Sequence, residues 1–516
     1  MRVPAVAVAL CFVAGCAYDG FEPIHQVSDA RMDRLLKNAA FPELTPSAKP
    51  APPAHVDTLD DGRRVVHVDM REALRLAVKN NLAFLTAGEN LDVKLLALEV
   101  LRHGWAPTLG PITGSATYAD TTVRNDGTGR ETASVGLSQK LITGGSVAAN
   151  YAHSGAQNAL DPSAYNGAFT VSLTQPLLKG GGVRSAVEEL VSAERNYVYD
   201  QRSQAFRKLS LLIATVETYF GLLQQEQNIR NAERNLERVR SQARQADIRE
   251  KFGRVTRTDV FRSQLEVTRA EGALAQAREF LNLARDAFKL DLGLAPDLDL
   301  ELAPDTIHYV PLELAVEEAV KLAFEKNPEW RNTPLRLEDA RRALELAANA
   351  KLPQVDLTAS QTWNTTTEEK LFSDYDTDSR NWSVGVTVTV PIDARKLRRD
   401  YQTAVIAYRQ AERDFFRAHD RLIAAVQAQM IQLRQAELAM KFQQRAIGDA
   451  EKAARLAEFD YKRGQGTNRD VLDAQDRLLE AQNAYEAALV SARITQLKLL
   501  QFIGTLEADE DGNWLR

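Results

Sequence analysis

The sequence predicts a mainly α-helical protein with membrane β-strands, in which the same order of elements occurs twice along one chain of 516 residues. A constant shift of 211 positions places Gly253 on Gly464 (464 − 253). Upstream, a shift of 246 positions places Pro107 on Pro353 (353 − 107). Each copy reads as helix, strands, long helix, tight turn and long helix. Because a solenoid repeat has only roughly 20–50 residues, we interpret this one as a duplicated half-protein.

Composition argues against two classes of function. The net charge is −6, and the basic residues alternate with acidic ones, so we expect solvated helix faces and no nucleic-acid partner. The seven histidines show no metal-ligand spacing, and Gly180–Gly182 lacks the Lys-Ser/Thr that completes a phosphate loop. No nucleophile has a catalytic setting. We therefore expect no enzyme activity, no cofactor and no resident metal.

The first residues have the pattern of an export signal. A positive start and an apolar run end in Val13-Ala14-Gly15-Cys16, which resembles a bacterial lipobox. That resemblance predicts a lipoprotein signal peptide over 1–15 and a lipidated Cys16, anchored by palmitate and related chains. An ordinary signal peptide with a chance cysteine is the alternative. Residues 16–66 then read as a tether, because 41–53 contains five prolines and should be extended.

The next segment is helical. An apolar stripe begins after Asp69 and continues to Trp105, with an interruption expected near Asn80-Asn81, and Pro107 stops it. No later stretch reaches about 18 apolar residues without charge, which a membrane-spanning helix needs. A membrane-spanning part would therefore have to consist of strands.

Two polar regions, 112–176 and 354–391, alternate with a period of two. In the second region Val384, Val386 and Val388 alternate with small polar residues, so one face is apolar and the other polar. A strand between lipid and a water-filled lumen needs this pattern. A half-buried sheet over a soluble core needs it as well, and alternation alone leaves both open.

Each strand region is followed by a very long helix, predicted at about 183–248 and 394–462. At about 1.5 Å per residue, each spans roughly 100 Å. A returning helix of nearly forty residues follows, with apolar residues seven apart, such as Val260, Val267 and Leu274 in the first copy. This indicates a coiled-coil seam. An ordinary antiparallel bundle explains the heptads equally well.

The two helix–helix turns share a six-residue spacing from glycine to aspartate, Gly253 to Asp259 and Gly464 to Asp470. The glycines suit a left-handed helix end, and the aspartates suit a helix N-terminus. Ordinary preferences at helix ends account for the glycines and the aspartates. They do not account for the identical spacing in the two turns or for Asp473 one turn later.

The chain resembles the TolC family of outer-membrane factors over residues 66–505. The resemblance rests on the duplication, on the strand-proline-helix joints and on the run from Tyr461-x-x-Gly464 to Asp470-Val471-Leu472-Asp473. The resemblance implies the exit duct of a tripartite efflux or type I secretion system. It implies a homotrimer with one shared outer-membrane β-barrel in lipid and a periplasmic α-helical tunnel. It also implies two partners, a periplasmic adaptor and an inner-membrane transporter. The repeats would cover 67–294 and 312–505, with a linker at 295–311 and a tail at 506–516.

The resemblance also assigns roles to residues at the two turns. In the family, residues matching Asp470 and Asp473 ring the periplasmic entrance, where carboxylates favour cations. Residues matching Tyr461, Thr258 and Asp259 link helix pairs and hold the entrance closed. The turns themselves contact the adaptor, through these positions: Gly253, Val255, Gly464 and Gly466. One position departs, because Gly466 stands where the family's best-known member has an arginine. Only the second copy carries both aspartates, since Arg262 occupies the place of Asp473.

Two questions stay open at this stage. The first strand region, from Pro107 to Pro176, is 31 residues longer than the second, from Pro353 to Pro391 (69 against 38). The excess either adds strands to the barrel or extends outside the cell. The alternative function is a lipid-anchored periplasmic coiled-coil scaffold without a pore, which predicts helices without membrane strands. The exported substrate is left undefined.

Overall fold

The structure is a computed structural model that describes residues 56–58, 64–119, 128–158, 161–252, 257–303, 309–367, 380–463, 465, 468–509, 511–512 and 514. These residues fall into two compact units. The first, here called the strand unit, comprises the described parts of Leu91–Asp200 and Pro334–Phe415. The second, the helical unit, comprises those of Leu44–Asn90, Gln201–Thr333 and Phe416–Arg516.

The helices follow the duplicated order that the sequence predicts. They are α1 (Met70–Asn80), α2 (Leu82–His103), α3 (Val183–Lys251), α4 (Arg257–Asp291), α5 (Val316–Lys326), α6 (Pro328–Asn349), α7 (Arg395–Lys462) and α8 (Asn468–Ile503). The strands are β1 (Val56–Thr58), β2 (Arg64–Val68), β3 (Thr108–Leu109), β4 (Thr113–Ala119), β5 (Thr128–Lys140), β6 (Ser146–Asn158), β7 (Asp161–Pro176), β8 (Asp299–Leu302), β9 (Gln354–Thr367) and β10 (Arg380–Thr389). The fold class is confirmed.

The strand unit contains one antiparallel sheet of seven strands, in the order β10-β9-β7-β6-β5-β3, with β4 also paired to β5. β5 and β6, which account for the extra length of the first copy, pair with each other along 13 positions from Thr128↔Asn158 to Lys140↔Ser146. β6 also pairs with β7, from Ser146↔Thr174 onward. The additional residues therefore lie within the sheet as strands.

A small helical core accompanies this sheet in the strand unit. Leu91, Leu95 and Leu98 lie on one stripe of α2 and are at most 4% exposed. They pack against Leu190 and Tyr197 of α3. The apolar spacing of three and four residues places these leucines on one helix face, which explains why α2 docks here.

The main core lies in the helical unit. It joins α1, α3, α4 and α8 around side chains that are almost fully buried, among them Tyr219, Phe288 and Leu292. The buried Tyr219 hydroxyl donates to the carbonyl of Ala303 at 2.7 Å, which satisfies its polar atom. A second cluster, around Val426, joins α5, α7 and α8.

A small three-stranded sheet also belongs to the helical unit. Its order is β1-β2-β8, with β2 and β8 parallel from Val65↔Asp299 to Val68↔Leu302. β1 and part of β2 lie in the stretch predicted as a tether, and β8 lies in the predicted linker. No strand was predicted in either stretch.

The interruption predicted near Asn81 recurs at Asn327, in the corresponding place of the second copy. The Asn81 side chain accepts from the Phe84 N–H at 3.0 Å and donates to the Asp291 carbonyl at 3.1 Å. Asn327 accepts from the Trp330 N–H at 2.8 Å and donates to the Phe502 carbonyl at 2.7 Å. In each copy one asparagine therefore caps a helix and also binds the end of the returning helix.

Both returning helices end in the same motif. Gly293 and Gly504 have φ angles of 64° and 78°, in the left-handed region that favours glycine. The following N–H groups bond back five residues, Leu294 N to Lys289 O at 2.8 Å and Thr505 N to Leu500 O at 3.0 Å. This is a Schellman closure in duplicate.

The long helices agree with their predicted bounds to within a few residues. The heptad residues of α4 are buried as a seam predicts, with Leu274 at 7% exposed and Phe288 at 1%. In α8, Ala492 and Leu499 are fully buried. Among the described residues, no helix is apolar enough over a sufficient length to cross a membrane.

Candidate functional site

The sheet of the strand unit separates polar from apolar side chains on its two faces. One rung of paired residues runs Leu137↔Ala149↔Val171↔Gln361↔Trp382 across five strands. The adjacent rung runs Ser138↔Ala148↔Ser172↔Ser360↔Ser383. Because neighbouring residues of a strand point to opposite faces, these two rungs define an apolar face and a polar face.

The apolar face is largely uncovered at β10. Val384, Val386 and Val388 are 62%, 59% and 59% exposed, and Trp382 is 76% exposed. Large exposed apolar surfaces of this kind mark contact with lipid or with another protein. Together with the opposite polar face, the pattern is that of a strand between lipid and water.

Hydroxyl groups connect the strands across the polar face. Thr113 and Ser134 are 2.6 Å apart, Ser360 and Ser383 are 2.8 Å apart, and Thr170 lies 3.0 Å from Thr362. Such cross-strand hydroxyl pairs stabilise neighbouring strands and present small, uncharged polar groups to water.

An aromatic row crosses the apolar face toward one end. Tyr151, Phe169 and Trp363 are paired in register, and the Phe169 and Trp363 rings lie 5.6 Å apart. From Val355 to Trp363 is eight steps of about 3.4 Å, or about 21 Å of height at a tilt of ~40°. This is close to the apolar band of about 25 Å that aromatic girdles border in outer-membrane strands.

Hydrogen bonds between polar side chains connect α3 and α6 in the strand unit, and no role was predicted for these residues. Arg195 donates to Asp339 at 2.8 Å and to Glu338 at 2.9 Å. The Tyr199 hydroxyl donates to Asp339 at 2.6 Å, and Arg342 donates to the same carboxylate at 2.7 Å. Burial raises the pKa of the Tyr199 hydroxyl, and its bond to Asp339 raises it further. Arg195 and Tyr199 are one helical turn apart, but their partners lie over a hundred residues away.

The structure gives the helical position of five residues predicted for the entrance. Tyr461 is in the last turn of α7, and Thr258 and Asp259 are in the first turn of α4. Asp470 and Asp473 begin α8, and both side chains are exposed. Asp470 lies where the helix dipole favours a negative charge.

A third acid continues this series. Asp476 lies one turn beyond Asp473 on α8, and its carboxylate is ion-paired with Arg238 of α3. Three acids at a spacing of three thus begin α8, and the last is neutralised within the helical unit. The sequence contains the Asp-x-x-Asp-x-x-Asp spacing, but no local signal points to its basic partner.

Several predicted residues lie outside the described part of the chain. They are Cys16, Gly253, Val255, Gly464 and Gly466. Within the described part, no group of three or more His, Cys, Asp or Glu side chains has a geometry that could hold a metal.

The chain is similar to known proteins along most of its length. The family model of the outer membrane efflux protein matches residues 152–293 and 319–505. The outer membrane efflux protein BepC of Brucella suis is 26% identical over 67% of this chain and 74% of its own. The outer membrane protein TolC of Vibrio cholerae is 22% identical over 63% and 75%.

The fold is similar to a solved structure as well. The outer membrane channel CmeC of Campylobacter jejuni superposes with a TM-score of 0.62, at 14% identity, over 84% of this chain and 85% of its own. The family match favours a channel over the scaffold without a pore, and the long-stranded sheet agrees with it. The chain belongs to the outer membrane efflux protein family, and it is an outer-membrane channel that provides an exit route for efflux.

Proposed function

We propose that this channel works as a homotrimer, in which three chains pool their strands into one outer-membrane barrel and their helices into one periplasmic tunnel. The observation that carries the proposal is the pair of sheet edges. Among the described residues, β10 pairs only with β9, while β3 and β4 pair only with β5. Open edges leave N–H and C=O groups unsatisfied in lipid, which is costly. Pairing β10 of one copy with the β3–β4 edge of the next satisfies both.

The mass of the purified complex in detergent tests this arrangement. Native mass spectrometry should give three chains per particle, and bilayer insertion should require that particle. A monomer that conducts by itself would contradict the proposal, because one sheet would then have to close on its own edges.

The channel is passive in this proposal, and it acts with two partners. An inner-membrane transporter supplies the energy, and a periplasmic adaptor couples it to the turns at Gly253, Val255, Gly464 and Gly466. The absence of a phosphate loop from the sequence is consistent with a conduit that does not hydrolyse nucleotides. A photo-crosslinking residue at Val255 should capture the adaptor in the native host, whereas one at Gly448, far along α7, should not.

The periplasmic entrance is lined by Asp470 and Asp473, with Tyr461, Thr258 and Asp259 linking adjacent helix pairs. The exposure of both carboxylates at the start of α8 supports this role. Three copies would bring about six carboxylates together, and such rings favour cations. The departure at Gly466 removes one link of the family's closed entrance, so we propose that the remaining links alone determine the resting conductance.

Cation selectivity in planar bilayers tests the entrance. The double variant Asp470→Asn with Asp473→Asn should lose most of the preference for K⁺ over Cl⁻. The control is Glu480→Gln with Glu486→Gln, which removes the same charge from exposed positions farther along α8. Equal selectivity in the two double variants would overturn the acidic entrance while leaving the channel intact.

A further inference from the structure

We propose that the exit barrel contains about 18 strands, six from each of three copies, and that its bore is correspondingly wide. The inference rests on the homotrimer proposed above. It concerns the wall of the barrel, which the strand pairings of a single chain define.

Each chain contributes six strands to the wall of the barrel. β3 and β4 both pair with β5, at Thr108↔Ser138 and from Thr113↔Ser134 to Ala119↔Thr128. Between them the Gly110 N–H donates to the Gly136 carbonyl at 2.6 Å. They therefore form one edge strand, interrupted near Pro111, which cannot donate. With β5, β6, β7, β9 and β10, the described sheet has six wall strands.

β5 and β6 belong to the wall of the barrel and do not form an external loop. Each pairs on both sides. β5 and β6 pair with each other without a slip from Thr128 to Lys140. On its other side β5 pairs with β4 up to Ser134 and with β3 at Leu137 and Ser138, with a register shift of one residue between them. The turn between them is fixed at the helical end of the sheet, where the Gly182 N–H donates to the Thr143 carbonyl at 3.0 Å. A hairpin that projected beyond the sheet would lack neighbours along its outer half.

Side chains on β5 and β6 alternate between the same two faces as those of the neighbouring strands. On β5 and β6, Leu137 and Ala149 share the apolar rung, whereas Ser138 and Ala148 share the polar one. The added strands therefore continue the faces of β7, β9 and β10. A loop in water has no need for such continuity.

Barrel geometry converts the strand count into a width. Strands about 4.8 Å apart and tilted by about 40° each take about 6.3 Å of circumference. A barrel without β5 and β6 would have 12 strands, four from each copy, and a backbone diameter of about 24 Å. A barrel of 18 strands would be about 36 Å across, so its enclosed area would be about 2.3-fold larger.

The lumen chemistry adds to this width. At mid-height, the rungs Gly136↔Asn150↔Thr170↔Thr362↔Asn381 and Ser138↔Ala148↔Ser172↔Ser360↔Ser383 carry no charge, whereas Lys140 and Asp356 lie on the same face near its helical end. A wide bore whose middle is lined by hydroxyl and amide groups sorts solutes poorly by charge at that level. The width of the barrel therefore suits bulky solutes, and we expect discrimination by size at the periplasmic end.

The decisive variant removes residues 128–158, which are β5 and β6. In register, Thr113 of β4 is level with Ala168 of β7 through Ser134 and Ala152, so the shortened sheet keeps its faces. Neutral polyethylene glycols added from the barrel side of a planar bilayer report the bore. The wild-type trimer should admit clearly larger polymers than the deletion trimer. The same size limit in two conducting trimers would overturn the wide barrel.

Two further measurements use the full-length chain, in case the deletion variant does not fold. Top views of the trimer by electron cryo-microscopy should show a wall about 36 Å across, and a wall of about 24 Å would refute the inference. Ser138→Cys should react with a water-soluble maleimide in membranes, while Leu137→Cys should react only with a membrane-soluble one. Equal reaction of both with the water-soluble reagent would place the hairpin outside the wall. A complex that is not trimeric would instead refute the proposed function.

Discussion

Replacement of Gly504 by alanine tests whether the closure of the returning helix holds the second copy together. Gly504 has a φ of 78°, and a Cβ built there would lie 2.5 Å from the carbonyl oxygen of Lys326. The obstacle is backbone at the end of α5, so no side-chain rotation relieves it. In the first copy, a Cβ at Gly293 would lie 2.5 Å from the Cβ of Asn80 and 2.8 Å from its carbonyl oxygen.

The expected loss of stability has two parts. A left-handed conformation costs an alanine about 1–2 kcal/mol. Forcing a methyl group into packed backbone costs about 1–3 kcal/mol. The lower entropy of the unfolded alanine chain offsets about 0.5–1 kcal/mol of this. We therefore expect Gly504→Ala to lower the free energy of unfolding by about 2–4 kcal/mol.

Urea unfolding followed by circular dichroism at 222 nm measures this change. With a slope of ~3 kcal/mol/M, the midpoint should fall by about 1 M. The control is Gly448→Ala in α7, where a Cβ meets nothing within 4 Å. It should raise stability by about 0.5–1 kcal/mol because alanine is the better helix former. A Gly504→Ala midpoint equal to that of Gly448→Ala would refute the closure.

Four further substitutions probe other parts of the molecule. Asn327→Ala leaves the Trp330 N–H and the Phe502 carbonyl without their partner at a site 4% exposed, so we expect a loss of about 2–4 kcal/mol in the same assay. Asn81→Ala removes the equivalent bonds at a half-buried site that water can reach, and should cost about 1 kcal/mol; a reversed order would contradict the burial argument. The pKa of Tyr199 is raised in the folded state, so its contribution to the free energy of unfolding is present below the ordinary tyrosine pKa of about 10. That contribution is lost as the pH rises above this value. Tyr199→Phe should therefore flatten the alkaline fall in stability, and an unchanged pH profile would exclude this group. Cys16→Ser should remove the mass of the acyl chains from the mature protein, and an identical lipid mass in both proteins would refute the anchor.

Local and periodic features were predictable from the sequence. The heptads of α4, the interruption at Asn81 and the helix ends at Gly293 and Gly504 each depend on residues close together in the chain, or on their repetition after 211 or 246 positions. The alternation in β10 was clear because valine alternates with serine, threonine and glycine over eight residues.

Long-range pairings were not predictable in the same way. β2 and β8 join residues more than two hundred positions apart, and strands of four or five residues carry little periodic signal. Arg195, Tyr199 and Asp339 meet only because α3 and α6 pack together. In β6, the small residues Ala148, Ala149 and Ala152 weaken the contrast between faces, so its register became visible only through its neighbours.

Single-channel recording of the purified protein in planar lipid bilayers tests the central claim most directly. If the chain forms an outer-membrane exit channel, particles of three chains should produce discrete conductance steps, and these steps should become larger when an adaptor opens the entrance at Asp470 and Asp473. Stable insertion of the trimer without any conductance, in the wild type and in the double variant alike, would contradict it.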